Sequence, residues 1–213
     1  MIKSYAKAYA RRGWYVFPLQ PGSKLPYAGT HGHLDATNDP TEIDQFPEDC
    51  NLGVSLEPSG LYVLDVDVAE GKNGARSVGT LGTLPATLTQ RTGRGGVQAL
   101  YQGDGTRATR KIGLKTPEFP GTDREHGTDA SHIDLLGRGY IMLPPSTLYG
   151  EAFEKPGPGA TGHYAWVDPA IAPVPLPPSL RAFVSDAPTS TPSALTGAFE
   201  SAPATVLRAA RER

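Results

Sequence analysis

The chain has 213 residues, of which 38% are hydrophobic and 20% are charged, and its formal net charge is -2. This is the composition of an ordinary folded protein, and the length suits one large domain or one domain with a tail. The balanced charge excludes a strongly basic protein, so any contact with nucleic acid requires a local basic patch.

The first part of the chain predicts short elements separated by turns, because glycine and proline recur and the apolar runs are brief. The predicted elements are, in chain order, a helix over 2–12 that stops at Gly13, a strand over 14–19, a loop over 20–39, a short helix capped by Asp39 and Pro40, and strands over 52–56 and 61–67 joined by a turn.

The middle of the chain predicts more strands than helices. The predicted elements are a weak helix over 73–82, a hairpin of 88–91 and 97–102, an irregular stretch over 103–130, strands over 133–136 and 140–143, and a further short strand at 164–166. Mixed short strands with few helices predict an α+β domain with its core over about 5–185.

The composition changes after residue 168. Recurrent proline predicts an extended connector, followed by a short helix over 180–184. Residues 186–197 have the Ser, Thr, Ala and Pro content of a linker, and 203–213 contain strong helix formers. We therefore predict a folded domain over 1–185 and a linker with a helical segment over 186–213, in a protein that continues further.

Cysteine content and hydrophobic runs bear on where the protein acts. The single Cys50 excludes an internal disulfide framework and a cysteine-rich zinc site. No apolar run is long enough to span a bilayer, and the first residues have no apolar stretch of the signal-peptide type. The sequence therefore predicts a cytoplasmic protein with no membrane partner.

Three carboxylates carry the strongest chemical signal. Asp65 and Asp67 end an apolar strand, and because side chains alternate along a strand, both face the same way. Asp134 lies between apolar neighbours, which is unusual for a surface carboxylate. Like charges so placed resist burial unless a cation lies between them, and hard oxygen ligands favour Mg²⁺ or Mn²⁺. Taken alone, the Asp65–Asp67 pair also suits a solvated strand end or a turn cap.

The turn between the two predicted hairpin strands is rich in glycine. Gly95 and Gly96 allow a close backbone approach, and successive N–H groups can cradle a phosphate. Thr92 adds a hydroxyl donor, and Arg94 adds a charged guanidinium that can donate two parallel hydrogen bonds. A plain hairpin turn is the alternative. A local excess of basic residues is a candidate footprint for polyphosphate or nucleic acid, and its members are Arg91, Arg94, Arg107, Arg110 and Lys111.

In this order, the motifs resemble the bifunctional primase/polymerase (prim-pol) family of the archaeo-eukaryotic primase superfamily. The similarity runs from about residue 5 to 168. The segments that carry it are 13–19, 24–26, 35–37, 51–54, 65–67, the glycine turn, 133–134, 139–146 and 164–166. The resemblance implies a modified RNA-recognition-like sheet packed with an N-terminal α/β unit, with the active site in the cleft between them.

The resemblance also implies a function: templated nucleotidyl transfer on single-stranded DNA, in which a primer is made or extended from NTP or dNTP. The implied ligands of two divalent ions, Mg²⁺ or Mn²⁺, are Asp65, Asp67 and Asp134. The implied nucleotide contacts are Thr92, Arg94, Gly95, Gly96, Gln98, His132 and Lys24. The implied nucleic-acid contacts are Arg107, Arg110, Lys111, Arg208 and Arg211. Relatives often continue into a helicase, so the resemblance implies a replication protein of a phage or plasmid.

The chain departs from the family pattern in two ways. Gln98 stands where the family usually has a histidine near the nucleotide phosphates, and glutamine can donate a hydrogen bond but carries no charge. We hypothesise that His132, which shares a strand face with Asp134, partly replaces that histidine; a surface strand residue is the alternative. Some relatives have a zinc stem built from Cys and His, and with only Cys50 here we expect no zinc.

Two other functions stay open on the sequence. A catalytically degenerate nucleic-acid-binding module is favoured by Gln98 alone. A metal-dependent nuclease also needs clustered acids, but the glycine turn and the segment at 144–146 do not fit it.

Overall fold

The computed structural model describes residues 1–68, 72–103, 112–120, 130–154, 156–157 and 159–184. The helices are α1 (Ile2–Ala10), α2 (Pro40–Ile43), α3 (Gly74–Ser77) and α4 (Pro178–Arg181). The strands are β1 (Tyr15–Leu19), β2 (Asn51–Ser55), β3 (Leu61–Val66), β4 (Thr89–Arg91), β5 (Val97–Gln102), β6 (Ile112–Gly113), β7 (Ile133–Leu136), β8 (Tyr140–Leu143), β9 (Ala165–Trp166) and β10 (Val174–Pro175).

The described strands form two sheets. The smaller sheet has the order β1-β2-β8 and is antiparallel throughout. The larger sheet has the order β6-β7-β3-β5-β4-β9, also antiparallel, and β10 adds to the end of β5 in parallel. Strand β3, which carries Asp65, therefore lies inside the larger sheet with a neighbour on each side.

Alternation along β3 assigns its two faces to two hydrophobic cores. Leu61 and Val63 pack in a core shared with the smaller sheet and α1. Leu64 and Val66 face the opposite way, into a core that includes Leu180 of α4. Because side chains two residues apart share a face, Asp65 lies on the face of the larger sheet that packs against the smaller sheet.

Most of the predicted elements are confirmed. The first helix, the first strand, the hairpin and the strands around the acidic residues form where the pattern places them. Thr41 donates its backbone N–H to the Asp39 carboxylate at 2.8 Å, which confirms the predicted cap. The α+β class agrees with antiparallel sheets and few helices. Of the described helices, none is long and apolar enough to cross a membrane.

The structure differs from the prediction in its finer elements. The first helix ends at Ala10, and the weak helix over 73–82 divides into α3 and a 3-10 turn. A two-residue strand, β6, lies within the predicted irregular stretch, and β10 lies within the predicted connector. Strands β7 and β8 adjoin in sequence but belong to different sheets. The segment over 186–213 lies outside the described residues.

An aromatic contact joins the two sheets at one end of the shared core. The hydroxyl of Tyr9 donates to the carbonyl oxygen of Pro144 at 2.6 Å, and the indole Nε1 of Trp166 donates to the same hydroxyl at 3.1 Å. Since Trp166 belongs to the larger sheet and Pro144 follows the edge strand of the smaller one, Tyr9 bridges the two.

Tyr9→Phe should destabilise the protein at neutral pH and much less at high pH. Burial raises the pKa of Tyr9 to about 12, whereas an unfolded tyrosine has a pKa of about 10. The stability contributed by the neutral hydroxyl is therefore complete below about pH 10 and is lost as the pH rises towards 12. At pH 8 the variant removes the hydrogen-bond partner of the buried Pro144 carbonyl oxygen and of the half-buried Trp166 indole N–H, which costs about 1–3 kcal/mol. Urea denaturation of both proteins at pH 8 and pH 11 tests this, and an equal difference at both pH values would contradict it.

Candidate active site

A row of polar side chains crosses the larger sheet near the end of β3. Asp65 lies directly opposite Asp134 of β7 on one side and Gln98 of β5 on the other. Gln98 in turn lies opposite Gln90 of β4. Directly opposite residues on neighbouring strands share a face, with Cβ atoms about 4.5–5.5 Å apart. These four residues form the first row, and it faces the smaller sheet.

A second row continues the same register one step beyond the strand ends. Asp67 donates its backbone N–H to the carbonyl oxygen of His132 at 3.0 Å. Thr92 donates its backbone N–H to the carbonyl oxygen of Gly96 at 2.8 Å. A Cβ placed on Gly96 would lie 3.2 Å from Thr92 Oγ1 and 3.8 Å from Asp67 Oδ1. The second row therefore consists of His132, Asp67, Gly96 and Thr92. Because Gly96 has no side chain, a gap lies between the Asp67 carboxylate and the Thr92 hydroxyl.

Hydrogen bonds link three members of the first row. The Nε2 of Gln98 donates to Asp65 Oδ1 at 3.2 Å, and its Oε1 accepts from Gln90 Nε2 at 2.6 Å. The same Gln90 nitrogen donates to the carbonyl oxygen of Met142, on the edge strand β8, at 2.8 Å. In this structure the amide of Gln98 is therefore engaged with a carboxylate of the site, and its predicted contact with nucleotide phosphate stays a prediction.

His132 is anchored beside Asp67 at the end of the second row. Its Nδ1 accepts the backbone N–H of Asn73 at 3.1 Å, its φ is 54°, and it is 6% exposed. Since Nδ1 is an acceptor, the proton of the neutral ring is on Nε2. The alternative of a surface strand residue is wrong, because the ring is buried. The predicted strand face shared with Asp134 is also wrong, because β7 begins at Ile133 and a φ of 54° is not strand backbone. Its hypothesised contribution to nucleotide binding stays a prediction.

The glycine turn is held in place by the segment that follows β8. Arg94 donates from Nε and Nη2 to the carbonyl oxygen of Ala152, at 3.1 and 2.9 Å. Gly93 packs so closely against the backbone of Gly162 that a Cβ there would lie 2.5 Å from its oxygen. These contacts fix the position of the turn, and they orient the Arg94 guanidinium while leaving its Nη1 outside the contact with Ala152.

Tyr164 adjoins both the acidic and the basic part of this region. It precedes Ala165, which pairs with Arg91, so it lies next to Thr92 in the register. Burial raises the pKa of Tyr164, the negative charge of Asp65 raises it further, and Arg94 opposes the shift. Tyr164 is therefore a neutral phenol near the site.

The remaining predicted contacts are placed differently. Gly95 adopts a φ of 98° within the turn and donates its N–H to the carbonyl oxygen of Thr92 at 2.9 Å. Lys24 is exposed on the loop after β1, and its carbonyl oxygen accepts the hydroxyl of Tyr140 at 2.9 Å. Its contact with the triphosphate stays a prediction. The predicted nucleic-acid contacts that lie outside the described residues are Arg107, Arg110, Lys111, Arg208 and Arg211.

The donor set of the two rows suits a hard divalent cation. Asp65 and Asp134 face each other and Asp67 follows in the next row, so all three offer carboxylate oxygens, which Mg²⁺ and Mn²⁺ prefer. Over the described part of the chain, no three His, Cys, Asp or Glu side chains already form a ligand cluster. The three carboxylates fit such an ion by the chemistry of their oxygen donors and by their register across the sheet.

The sequence does not predict Gln90 and Tyr164 as members of the site. It predicts Gln90 only as part of a hairpin strand and Tyr164 only as part of a further short strand. A signal for Gln90 was present, since a hairpin centred on Arg94 pairs residues equally distant from it, and Gln90 and Gln98 are each four positions away. The pairing of Tyr164 depends on β9, which joins the sheet from a distant part of the chain.

Comparison with known proteins identifies the family of the chain. The family model described as bifunctional DNA primase/polymerase, N-terminal, matches residues 6–179. A search of curated proteins finds no significant match. The family match covers most of the chain, including both rows of the site, the glycine turn and both sheets. The chain therefore belongs to the family described as bifunctional DNA primase/polymerase, N-terminal.

Proposed function

We propose that this protein carries out template-dependent nucleotidyl transfer on single-stranded DNA, making or extending a primer by a two-metal mechanism. The observation that carries the proposal is the direct pairing of Asp65 with Asp134, beside a glycine turn whose Gly96 approaches Asp67. Facing carboxylates are unfavourable in a structural sheet, and they suit a site that binds cations next to a phosphate.

The residues of the two rows would have different roles, some binding the divalent ions and others the triphosphate. Asp65, Asp67 and Asp134 would hold the divalent ions, which lower the pKa of an attacking hydroxyl and neutralise leaving oxygens when bound. Gly96 leaves room for the triphosphate, and Thr92 would donate its hydroxyl to it. In the reaction, the primer 3′-oxygen bonds to the α-phosphorus, and the bond from that phosphorus to the pyrophosphate oxygen breaks.

The charge that accumulates on the phosphates needs donors already in place. Arg94 would supply its Nη1, since Ala152 holds the other edge of the guanidinium. His132 and Lys24 are further candidates for the triphosphate. A preorganised donor of this kind stabilises the transition state without having to reorient during the reaction.

The same proposal assigns roles to the two sheets and to the two parts of the chain. The larger sheet would be the modified RNA-recognition-like sheet, the smaller sheet with α1 would be the N-terminal unit, and the site would lie in the cleft between them. Residues 1–185 would be the catalytic domain and 186–213 a linker with a helical segment, leading to a helicase in a longer replication protein of a phage or plasmid. The partners would be a single-stranded template, a primer and NTP or dNTP, in the cytoplasm.

Mn²⁺ and dNTP together should stabilise the protein more than either does alone. A ligand present at about 100 times its dissociation constant adds about 2.7 kcal/mol, which corresponds to about 5–10 °C in Tm for a domain of this size. Thermal unfolding with Mn²⁺, dNTP, both, or Mn²⁺ with single-stranded DNA tests this. Stabilisation by metal and DNA with no response to dNTP would contradict a polymerase and indicate the nuclease alternative.

A further inference from the structure

Gln90 is a polar side chain in a place where hydrophobic residues are normally found. It is 0% exposed and lies where the larger sheet meets the edge of the smaller one. Its Oε1 is buried without a hydrogen-bond partner, while its Nε2 donates to two acceptors. Burying an amide with an unsatisfied oxygen costs free energy, so a non-functional position would favour an apolar residue.

The two bonds of Gln90 determine which end of the Gln98 amide faces Asp65. With Gln90 Nε2 against Gln98 Oε1 at 2.6 Å, the nitrogen of Gln98 faces Asp65 Oδ1 at 3.2 Å. If the amide of Gln98 were reversed, its oxygen would face the carboxylate and its NH₂ would face the NH₂ of Gln90. Both contacts would be repulsive, so Gln90 holds Gln98 in the orientation that donates to Asp65.

Gln90 is itself fixed by the smaller sheet. Met142 lies on β8, whose other side pairs with β2, and its carbonyl oxygen accepts from Gln90 at 2.8 Å. The path from Met142 through Gln90 and Gln98 therefore reaches Asp65 through three hydrogen bonds of 2.8, 2.6 and 3.2 Å. A carboxylate on the larger sheet is thus oriented by a backbone group of the smaller one.

We propose that Gln90 is a positioning residue, which orients Asp65 through Gln98 and so sets the affinity of the site for a divalent cation. The inference about the cation rests on the proposed metal-binding role of Asp65. The mechanism is geometric, because the donor on Oδ1 at 3.2 Å restrains the Asp65 carboxylate in the orientation from which it would bind the cation. Loss of such an outer hydrogen-bond partner typically lowers metal affinity about 10–100-fold.

The first test observes the orientation of Gln98 without any metal. In the ¹⁵N-labelled protein, the side-chain NH₂ signal of Gln98 is identified by its disappearance in Gln98→Met. We expect Gln90→Met to move this signal to the position of a solvated amide and Tyr9→Phe to leave it in place. Tyr9→Phe is a matched control, since it removes a different hydrogen-bonded bridge between the same two sheets, which runs from Trp166 through the Tyr9 hydroxyl to Pro144. An unchanged Gln98 signal in Gln90→Met would overturn the proposal.

The second test measures Mn²⁺ binding to the full chain by the EPR signal of the free ion. We expect a dissociation constant about 10–100-fold higher in Gln90→Met and close to wild type in Tyr9→Phe. Values within twofold of wild type for Gln90→Met, or an equal loss in Tyr9→Phe, would overturn the positioning role. If the wild-type protein bound no Mn²⁺, the proposed metal site would fail, and the NMR test would still decide the role of Gln90.

A conservative variant keeps both tests decisive if Gln90→Met does not fold. Gln90→Asn retains the amide but is one methylene shorter, so it cannot reach Gln98 and Met142 together. We expect the same displaced Gln98 signal and the same weaker Mn²⁺ binding. Wild-type behaviour of this variant in both measurements would overturn the proposal.

Discussion

Asp134→Asn should abolish nucleotide incorporation while leaving the metal-free protein folded. Asp134 is 9% exposed and lies directly opposite Asp65. The substitution removes the charge of one of the two facing carboxylates without changing the size of the side chain. We therefore expect the free energy of unfolding to change by no more than about 1 kcal/mol.

The loss of activity should be much larger than any change in stability. Cations held by such carboxylates supply several kcal/mol of charge stabilisation, which corresponds to a fall in kcat/KM of about 10³-fold or more. Primer extension gives the rate, and urea denaturation in EDTA gives the free energy of unfolding.

The matched control is Asp49→Asn, which removes the same charge from an exposed position between α2 and β2. It should change neither the rate nor the stability in EDTA. Near wild-type synthesis by Asp134→Asn would show that the carboxylate is not a ligand, and a loss of synthesis in a variant much less stable than wild type would show that it is a structural group.

Gly96→Val should prevent productive nucleotide binding in a protein that still folds. A Cβ on Gly96 would lie 3.1 Å from the Val66 carbonyl oxygen and 3.2 Å from Thr92 Oγ1. The methyl groups of valine would therefore fill the gap between Asp67 and Thr92 that we assign to the triphosphate. A misplacement of about 1 Å in such a site can cost about 10²-fold in rate, and crowding costs about 1–3 kcal/mol of stability.

Gly79→Val is the matched control for this prediction. A Cβ on Gly79 meets nothing within 4 Å, and like Gly96 this glycine does not have a positive φ. The control should keep both kcat/KM and the stabilisation by dNTP, whereas Gly96→Val should lose both. Thermal unfolding with and without dNTP separates lost binding from lost folding, and a full response to dNTP in Gly96→Val would refute the assignment of this gap.

The sequence predicts those parts of the fold and site that depend on local pattern. Alternation places Asp65 and Asp67 on one face, and the glycine run predicts the turn next to Thr92. Asp39 and Pro40 predict the start of a helix because capping depends on a few adjacent residues. In each case the determining interactions lie within a few positions of one another along the chain.

The parts that could not be predicted depend on pairing between distant segments. Gly137 to Gly139 would suit a hairpin, but β7 pairs with β3 in the larger sheet and β8 pairs with β2 in the smaller one, so the segment carries the chain between sheets. The donation from Gln98 to Asp65 and the bond from Gln90 to Met142 likewise depend on three-dimensional pairing. A family resemblance could therefore name Gln98 as an unusual residue but could not show which group its amide contacts.

Template-directed incorporation tests the central claim most directly. The full chain is incubated with single-stranded templates of defined sequence, with and without a primer, one labelled NTP or dNTP at a time, and Mg²⁺ or Mn²⁺. We predict that only the nucleotide complementary to the template is incorporated, that EDTA prevents the reaction, and that Asp134→Asn abolishes it. Absence of incorporation by the wild-type protein, or equal incorporation by Asp134→Asn, would contradict the account.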